Sequence, residues 1–301
     1  MSLCILLSTC EKYRWLAQFA ECMLDRHWAE HPPVYVCGCA GENLDHWLSL
    51  RSNPRDWMNI TLAACSDLAK RGYTKCYLIL DDHMPFADCH EAHLNTTLPF
   101  MMDKLDAAYI GLLGWERNGS RMPNGAMLGQ DFYRMENVSK DYLWKFSLHP
   151  GLWDLRALTG ILKTLVSNLP LEDRSPWNFE RMSGAPGINL PNKWEYKCYR
   201  ICGRMMARNP FFSTLYRFVE VGFCNVAHIV ARLGGKGVRR RVDEATAFIS
   251  YSYDGPYPLV WRGIMSKGGV NKDFLRYMRF RGYARFLSDF EKVLPSELRI
   301  S

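Results

Sequence analysis

The chain has 301 residues, of which 48% are hydrophobic and 23% charged, as is ordinary for a globular protein with a core of its own. Its eleven Cys lack paired Cys-x-x-Cys spacing, which excludes a disulfide framework or a structural zinc site and indicates a reducing compartment. The net charge of +7 favours acidic partners, and no apolar run is long enough to span a bilayer.

Apolar patterns in the first third of the chain predict alternating strands and helices. The strands are residues 3–7, 34–37 and 76–81, and the helices are residues 15–24 and 57–70. This β-α-β-α-β order predicts a parallel sheet with right-handed crossovers. The loops that follow the three strands then share one crevice at the carboxyl edge of that sheet.

The middle of the chain continues the pattern less regularly. Residues 107–113 predict a fourth strand, and Gly114 to Gln130 a loop. Pro150-Gly151 is predicted to open a helix with apolar residues up to Leu165, and residues 184–192 read as a linker. Because the first loop lacks a glycine fingerprint and no P-loop occurs, a dinucleotide-binding Rossmann domain is disfavoured.

The third strand ends in Leu80-Asp81-Asp82-His83, where a buried apolar run meets two carboxylates and an imidazole. Burying carboxylates costs free energy unless something pairs with them, and ligands of open α/β sheets bind outside the carboxyl ends of the strands. These residues leave two interpretations open. Either a divalent cation carrying a diphosphate binds here, or one of the acids simply caps the next helix.

The positive charge belongs to the C-terminal third. Residues 193–301 hold 20 Lys and Arg against 9 Asp and Glu, whereas residues 1–192 hold 18 against 22. The segment 199–241 mixes basic and apolar side chains and predicts either an amphipathic element on an anionic membrane surface or an ordinary helical subdomain. Basic residues also interleave with four later aromatics, Phe274, Tyr277, Phe280 and Tyr283. No recognised nucleic-acid motif accompanies them, so nucleic acid is not an expected partner.

Two later motifs complete a pattern. They are Ser147-Leu148-His149-Pro150-Gly151-Leu152-Trp153 and Ser175-Pro176-Trp177-Asn178-Phe179-Glu180. They follow the loop Ser8–Tyr13 and the acidic pair Asp81-Asp82 in the chain. With these four motifs in this order, residues 1–185 resemble bacterial nucleotide-sugar glycosyltransferases of the GT-A fold, of the surface-polysaccharide type. A weaker similarity lies at Tyr257–Gly263. The resemblance implies an α/β fold with a GT-A-like mixed, mainly parallel sheet flanked by helices, followed by a mostly helical basic part.

The resemblance also implies roles for the acidic motif. Asp82 and His83 are the expected ligands of a divalent cation, Mn²⁺ or Mg²⁺, that neutralises the diphosphate of the donor. Asp81 is expected nearer the ribose or a metal-bound water. His83 stands where the usual Asp-x-Asp form has its second acid, and a histidine favours manganese or no metal at all. Without metal, Lys12 or an arginine would neutralise the leaving group.

The other expected site residues follow from the same resemblance. Ser8, Thr9 and Tyr13 would line the nucleotide pocket. Glu180 ends the Trp-x-x-Glu pattern and would be the general base that deprotonates the acceptor hydroxyl, with Asp173 as a second candidate. Trp177 would stack on a sugar face. The alternative is that Trp177 and Phe179 are core residues and that Glu180 pairs with Arg181 or a helix end.

The expected function is therefore sugar transfer, with inversion, from a nucleotide-diphosphate donor to a glycan or lipid-linked acceptor in cell-surface polysaccharide synthesis. The expected location is cytoplasmic or peripheral at the inner membrane, with no signal peptide at residues 3–7. The predicted parts are a nucleotide-sugar half (1–115), an acceptor-side and catalytic half (116–192) and the basic part (193–301).

The sequence is also compatible with other functions. A nucleotidyltransferase would share the sheet and the carboxylates, but usually carries a Gly-rich basic loop after its first strand. A non-catalytic nucleotide- or membrane-binding protein could keep the fold without Glu180. His90 and His93, three residues apart, favour a solvated helix start over a zinc site, because the spacing is not that of metalloproteases.

Overall fold

The computed structural model describes residues 2–39, 45–48, 53–112, 126–128, 133–138, 145–184, 196–202, 226, 255–259, 263–266, 268–280 and 282–298. The strands are β1 Leu3–Ser8, β2 Val34–Cys37, β3 Trp47–Leu48, β4 Lys75–Leu80, β5 Ala107–Gly111, β6 Ala126–Leu128, β7 Tyr133–Asn137, β8 Gly151–Asp154, β9 Lys197–Cys202, β10 Met265–Ser266 and β11 Gly269–Val270. The helices are α1 Arg14–His27, α2 Trp57–Lys70, α3 Leu98–Leu105, α4 Leu155–Asn168, α5 Pro176–Gly184, α6 Lys272–Phe280 and α7 Ala284–Val293.

Strands β1 to β9 form a mixed, mostly parallel sheet, which confirms the predicted α/β class, and β10 and β11 form a separate antiparallel pair. The strand order is β3-β2-β1-β4-β8-β5-β9-β7-β6. Strands β3, β2, β1 and β4 are mutually parallel, and β5 is parallel to β9. Ser8 pairs with both Cys37 and Leu80, so the first three long strands end at the same level. The loops after β1, β2 and β4 therefore start side by side.

One sequence prediction is wrong at the centre of this sheet. Residues Gly151–Asp154, expected to open a helix, form β8, which is antiparallel to both neighbours β4 and β5. Trp153 is fully buried there, with its ring centroid 4.4 Å from that of Tyr109. Helix α4 begins only at Leu155. The side chain of Asp154 accepts a hydrogen bond from Ala157 N and thereby caps this helix. A four-residue apolar strand and the start of a buried helix have the same pattern of apolar residues.

Side-chain alternation along the strands creates two hydrophobic layers. Ile5, Leu7, Tyr77 and Ile79 point to one face, together with α1, α3, α6 and α7. The residues that alternate with them point to the other face, which α2, α4 and α5 cover; they are Cys4, Leu6, Cys76 and Leu78. Strands buried on both faces explain the continuous apolar runs of the sequence.

The C-terminal helices pack against α1. Phe286 and Phe290 lie 5.5 and 5.7 Å from Phe19 between ring centroids, and Arg26 pairs with Asp289 at 2.7 Å. Phe274, one of the aromatics interleaved with basic residues, is fully buried in this layer. Tyr283 contacts Phe86 at 5.0 Å between ring centroids. These two aromatics are thus part of the core.

The remaining sequence predictions on organisation have mixed outcomes. Most of the segment 199–241, in which a membrane-facing element was expected, lies outside the described residues beyond β9 and Val226. The part of the chain that is described contains no helix both long and apolar enough to cross a membrane. Strands from residues 3–111, 126–154 and 197–202 share one sheet, and the predicted division into three parts stays a prediction.

Candidate functional site

The loops after β1, β2 and β4 touch at the carboxyl edge of the sheet. Thr9 N donates to Cys37 O at 3.0 Å, and Asp81 N donates to Ser8 O at 3.1 Å. Gly38 has a φ of +104°, and a Cβ atom there would lie 2.0 Å from Thr9 O. Only glycine fits this close approach of two backbones. The edge is therefore closed by main-chain contacts, and the side chains after each strand face a common space.

Asp81 is the buried member of the acidic pair, with 8% of its surface exposed. Thr9 Oγ1 donates to Asp81 Oδ2 at 2.5 Å. Burial, and next the negative charge of Asp82, raise the pKa of Asp81 to about 7, although the Thr9 hydrogen bond acts in the opposite direction. The carboxyl group of Asp81 therefore titrates near neutral pH.

Asp82 and His83 contact each other directly. Asp82 Oδ1 lies 3.0 Å from His83 Nδ1, and the two side chains are 21% and 11% exposed. Burial lowers the pKa of His83, but the negative charges of Asp82, Glu180 and Asp81, of which Asp82 contributes most, raise it, and the net pKa lies above its ordinary value of 6.5. The contact is an ion pair by distance. Among the described residues, neither ring nitrogen of His83 has a hydrogen-bond partner of suitable angle.

Glu180 is placed by α5, which begins in a way the sequence explains. Ser175 Oγ accepts from Asn178 N at 3.3 Å, and Pro176 occupies the first helical position. Phe179 anchors the helix in the core, 5.6 Å from the ring centroid of Trp57. The next residue, Glu180, is 8% exposed. Its Oε1 accepts from Ser147 Oγ at 2.9 Å and from Leu148 N at 2.6 Å.

The motif Ser147–His149 connects Glu180 with the acidic motif. Ser147 Oγ lies 2.8 Å from His149 Nδ1, and the ring of His149 stands edge to face with His83 at 5.2 Å between centroids. Glu180 also contributes to the raised pKa of His83. The structure therefore brings together Glu180 and Asp82-His83, although about a hundred residues separate them in sequence.

Two buried polar side chains lie near Glu180 on β5 and β9. Tyr109 is 1% and Arg200 7% exposed. Burial raises the pKa of Tyr109, Arg200 lowers it, and Glu180 raises it again. A hydrogen bond with Ser147 also acts on this phenol. Tyr109 thus lies close enough to Glu180 and Arg200 for both charges to act on its phenol.

A segment from the C-terminal part covers the acidic motif, which the sequence had indicated only by the weak similarity at residues 257–263. Tyr257 donates its hydroxyl to His83 O at 3.1 Å. At Gly263, where φ is +67°, a Cβ atom would lie 2.3 Å from Asp82 Oδ2. At Gly268, a Cβ atom would lie 3.1 Å from Lys12 Nζ. Residues 263–266 and 268–271, which include strands β10 and β11, therefore extend from Asp82 to the loop after β1.

The other sequence-predicted residues are placed as follows. Ser8 is 2% exposed, and its Oγ accepts from Trp57 Nε1 at 2.7 Å, so its hydroxyl already serves the packing of α2. Tyr13 lies under Lys12, whose Nζ is 5.4 Å from the ring centroid. Trp177 is 74% exposed, so it is not a core residue. Asp173 accepts from Asn178 Nδ2 at 3.3 Å. Their roles toward substrate stay predictions.

The residues present partly fit a divalent cation. A carboxylate and an imidazole, side by side, are a suitable pair of ligands for Mn²⁺, and Nε2 of His83 has no hydrogen-bond partner among the described residues. Within the described ranges, no group of three or more His, Cys, Asp or Glu side chains is arranged to hold a metal ion, and His90 and His93 form no such group either. Any cation here would need further oxygen ligands from its substrate.

Comparisons with known proteins add little to this geometry. No protein-family model matches the chain, and no curated protein matches it. Among solved structures, the chain is similar to residues 1–349 of S. aureus TarS, with 13% sequence identity and a TM-score of 0.34, over 82% of this chain and 70% of that one. Chains that are similar at this level need not share a fold, so the residues of the site must support any function.

Proposed function

We propose that this chain is a glycosyltransferase that moves a sugar from a nucleotide-diphosphate donor to a glycan or lipid-linked acceptor in cell-surface polysaccharide synthesis, with inversion. One observation supports this most. Glu180 on α5 and Asp81-Asp82-His83 after β4 meet in one site through Ser147 and His149. Sugar transfer of this kind requires a general base next to a binding site for the diphosphate of the donor.

In the proposed reaction, Glu180 takes the proton of the acceptor hydroxyl while that oxygen attacks the anomeric carbon of the donor. The bond between this carbon and the diphosphate oxygen breaks, and the nucleoside diphosphate leaves with both electrons. Asp82 and His83 would hold a divalent cation, Mn²⁺ or Mg²⁺, which supplies charge neutralisation for the diphosphate. Lys12, beside Gly268, would add positive charge on the other side of the pocket.

The surroundings are assigned by position. Thr9 and Tyr13, with Ser8 behind them, lie in the loop after β1 and would contact the nucleotide. The exposed Trp177 stands one helical turn before Glu180 and would stack on the acceptor sugar. The basic C-terminal part would attract an anionic membrane surface on the cytoplasmic side, where a lipid-linked acceptor resides.

The test combines nucleotide binding with turnover. Calorimetry with UDP, GDP and CMP, with and without Mn²⁺, identifies the donor class, and release of nucleotide from the matching sugar donors measures transfer. We expect Glu180→Gln to lower turnover by about a hundredfold or more without weakening nucleotide binding. Glu172→Gln, an exposed acid on the short turn before α5, is the matched control. Wild-type turnover by Glu180→Gln would refute the base assignment, and no nucleotide binding would refute the proposed function.

A further inference from the structure

We infer that Ser147 is a positioning residue for Glu180, and that His149 in turn fixes Ser147. This inference rests on the proposed function, because it assigns a role to residues around the proposed base. The sequence predicted no individual role for Ser147 or His149, which appeared there only as members of a motif. The hydrogen bonds of the site supply one.

Two donors reach Oε1 of the Glu180 carboxylate. Both the Ser147 hydroxyl and the Leu148 backbone N–H donate to Oε1, at 2.9 and 2.6 Å. Two donors from adjacent residues fix the rotation of the carboxylate plane as well as its position. Because Glu180 is only 8% exposed, these two hydrogen bonds order its side chain before substrate binds. Such preorganisation of a reacting group raises the reaction rate.

The contact between Ser147 and His149 has a donor that follows from the number of available protons. The Ser147 hydroxyl has one proton, which is donated to Glu180. The 2.8 Å contact between Ser147 Oγ and His149 Nδ1 is then a hydrogen bond donated by Nδ1–H. His149 N also donates to the same Oγ, at 3.2 Å. His149 thus helps to direct the hydroxyl proton of Ser147 toward Glu180, on an oxygen that also contacts the phenol of Tyr109.

The far side of His149 reaches the acidic motif. Its ring stands edge to face with His83, whose Nδ1 lies 3.0 Å from Asp82. The chain of contacts therefore runs from the carboxylate on α5 to the residues proposed to hold the diphosphate. Direct displacement needs the acceptor oxygen and the leaving group aligned on opposite sides of one carbon, so a fixed spacing between these two groups contributes to the rate.

The experiment compares variants that keep or remove the donor. Ser147→Ala should lower kcat by about 10- to 100-fold while the donor KM and the nucleotide Kd stay within about twofold. Ser147→Thr, which keeps the hydroxyl, should recover kcat to within about fivefold of wild type. Ser66→Ala, a half-buried serine whose hydroxyl donates to Leu62 O at 2.9 Å on α2, is the matched control. Thermal unfolding of each variant verifies folding.

A second pair of variants tests His149. Asn places a side-chain N–H near the position of Nδ1, whereas Phe keeps the ring against His83 and loses the donor. We expect His149→Asn to retain at least about fivefold more kcat than His149→Phe. The reverse order would overturn the role given to Nδ1–H.

The possible results separate this inference from the proposed function. Wild-type kcat in Ser147→Ala together with an inactive Glu180→Gln would overturn only the positioning role. A Ser147→Ala variant that loses kcat, nucleotide affinity and melting temperature together, with no rescue by Thr, would also overturn it, because packing alone would explain the loss. Full turnover by Glu180→Gln, or none by the wild type, would instead refute the proposed function.

Discussion

Replacing Asp81 by Asn should stabilise the metal-free protein at alkaline pH. Asp81 is almost completely buried, and its pKa is raised from an ordinary 3.8 to about 7. Between these two values the unfolded chain is ionised at this site while the folded chain holds a proton. The folded state binds more protons, so its stability falls as pH rises through this window and stays low above it. An amide cannot ionise and escapes this penalty.

The magnitude follows from the two pKa values. A shift of roughly three units, at about 1.4 kcal/mol per unit, makes the ionised Asp81 cost about 4 kcal/mol of folding free energy above pH 7. The Asn variant keeps an oxygen that accepts from the Thr9 hydroxyl. We therefore expect Asp81→Asn to be more stable than wild type by up to about 4 kcal/mol at pH 8 and by close to nothing at pH 4.

The assay is urea unfolding from pH 4 to pH 8 in the presence of a chelator. His83 needs a control, because its pKa is raised too. Its stabilising contribution is complete below the unfolded pKa and is lost as pH rises through the folded one, in the same direction as that of Asp81. His83→Gln separates the two effects. Asp67→Asn, a more exposed acid on α2, controls for net charge. Parallel stability curves for Asp81→Asn and wild type would refute the reasoning.

Two further substitutions test how the site is held and covered. Asp56→Ala removes the cap of α2 and the 2.9 Å ion pair with the part-buried Arg174. We expect the free energy of unfolding, measured in urea, to fall by about 2–4 kcal/mol. A decrease below about 1 kcal/mol would contradict this expectation. Gly263→Ala places a methyl group 2.3 Å from Asp82 Oδ2 and should weaken Mn²⁺-dependent nucleotide binding at least about tenfold in calorimetry. Gly72→Ala, where φ is +89° and no atom lies within 4 Å, should leave binding unchanged; equal effects of the two alanines would show that the contact with Asp82 is unimportant.

Local patterns predicted the first half of the fold well. The strands at Leu3–Ser8 and Lys75–Leu80 are six residues long and almost wholly buried, and the shorter strand Val34–Cys37 begins directly after the break at Pro32-Pro33. Helices with a clear apolar stripe separate the three strands. Their parallel arrangement follows from chain connectivity alone. Strand β8 was not predictable in this way, because it is short and continues without a break into α4, so its apolar residues read as the first turn of that helix.

The site was predictable only in pieces. Asp81, Asp82 and Glu180 stood out by residue type and by motif, but the bonds that join them depend on where Ser147 and His149 come to lie. The same holds for Gly263, whose contact with Asp82 arises between segments 180 residues apart in sequence. Distances between such segments are set by packing of the whole sheet, which no local pattern of residues contains.

The late arrival of β8 has a consequence for synthesis on the ribosome. Strands β4 and β5 are complete once residue 111 has emerged, yet the strand that lies between them is made some forty residues later. Until then each has an unpaired edge, rich in apolar side chains, that is open to other chains. We expect the emerging N-terminal half to depend on chaperones, and a fragment that ends before Gly151 to aggregate rather than fold.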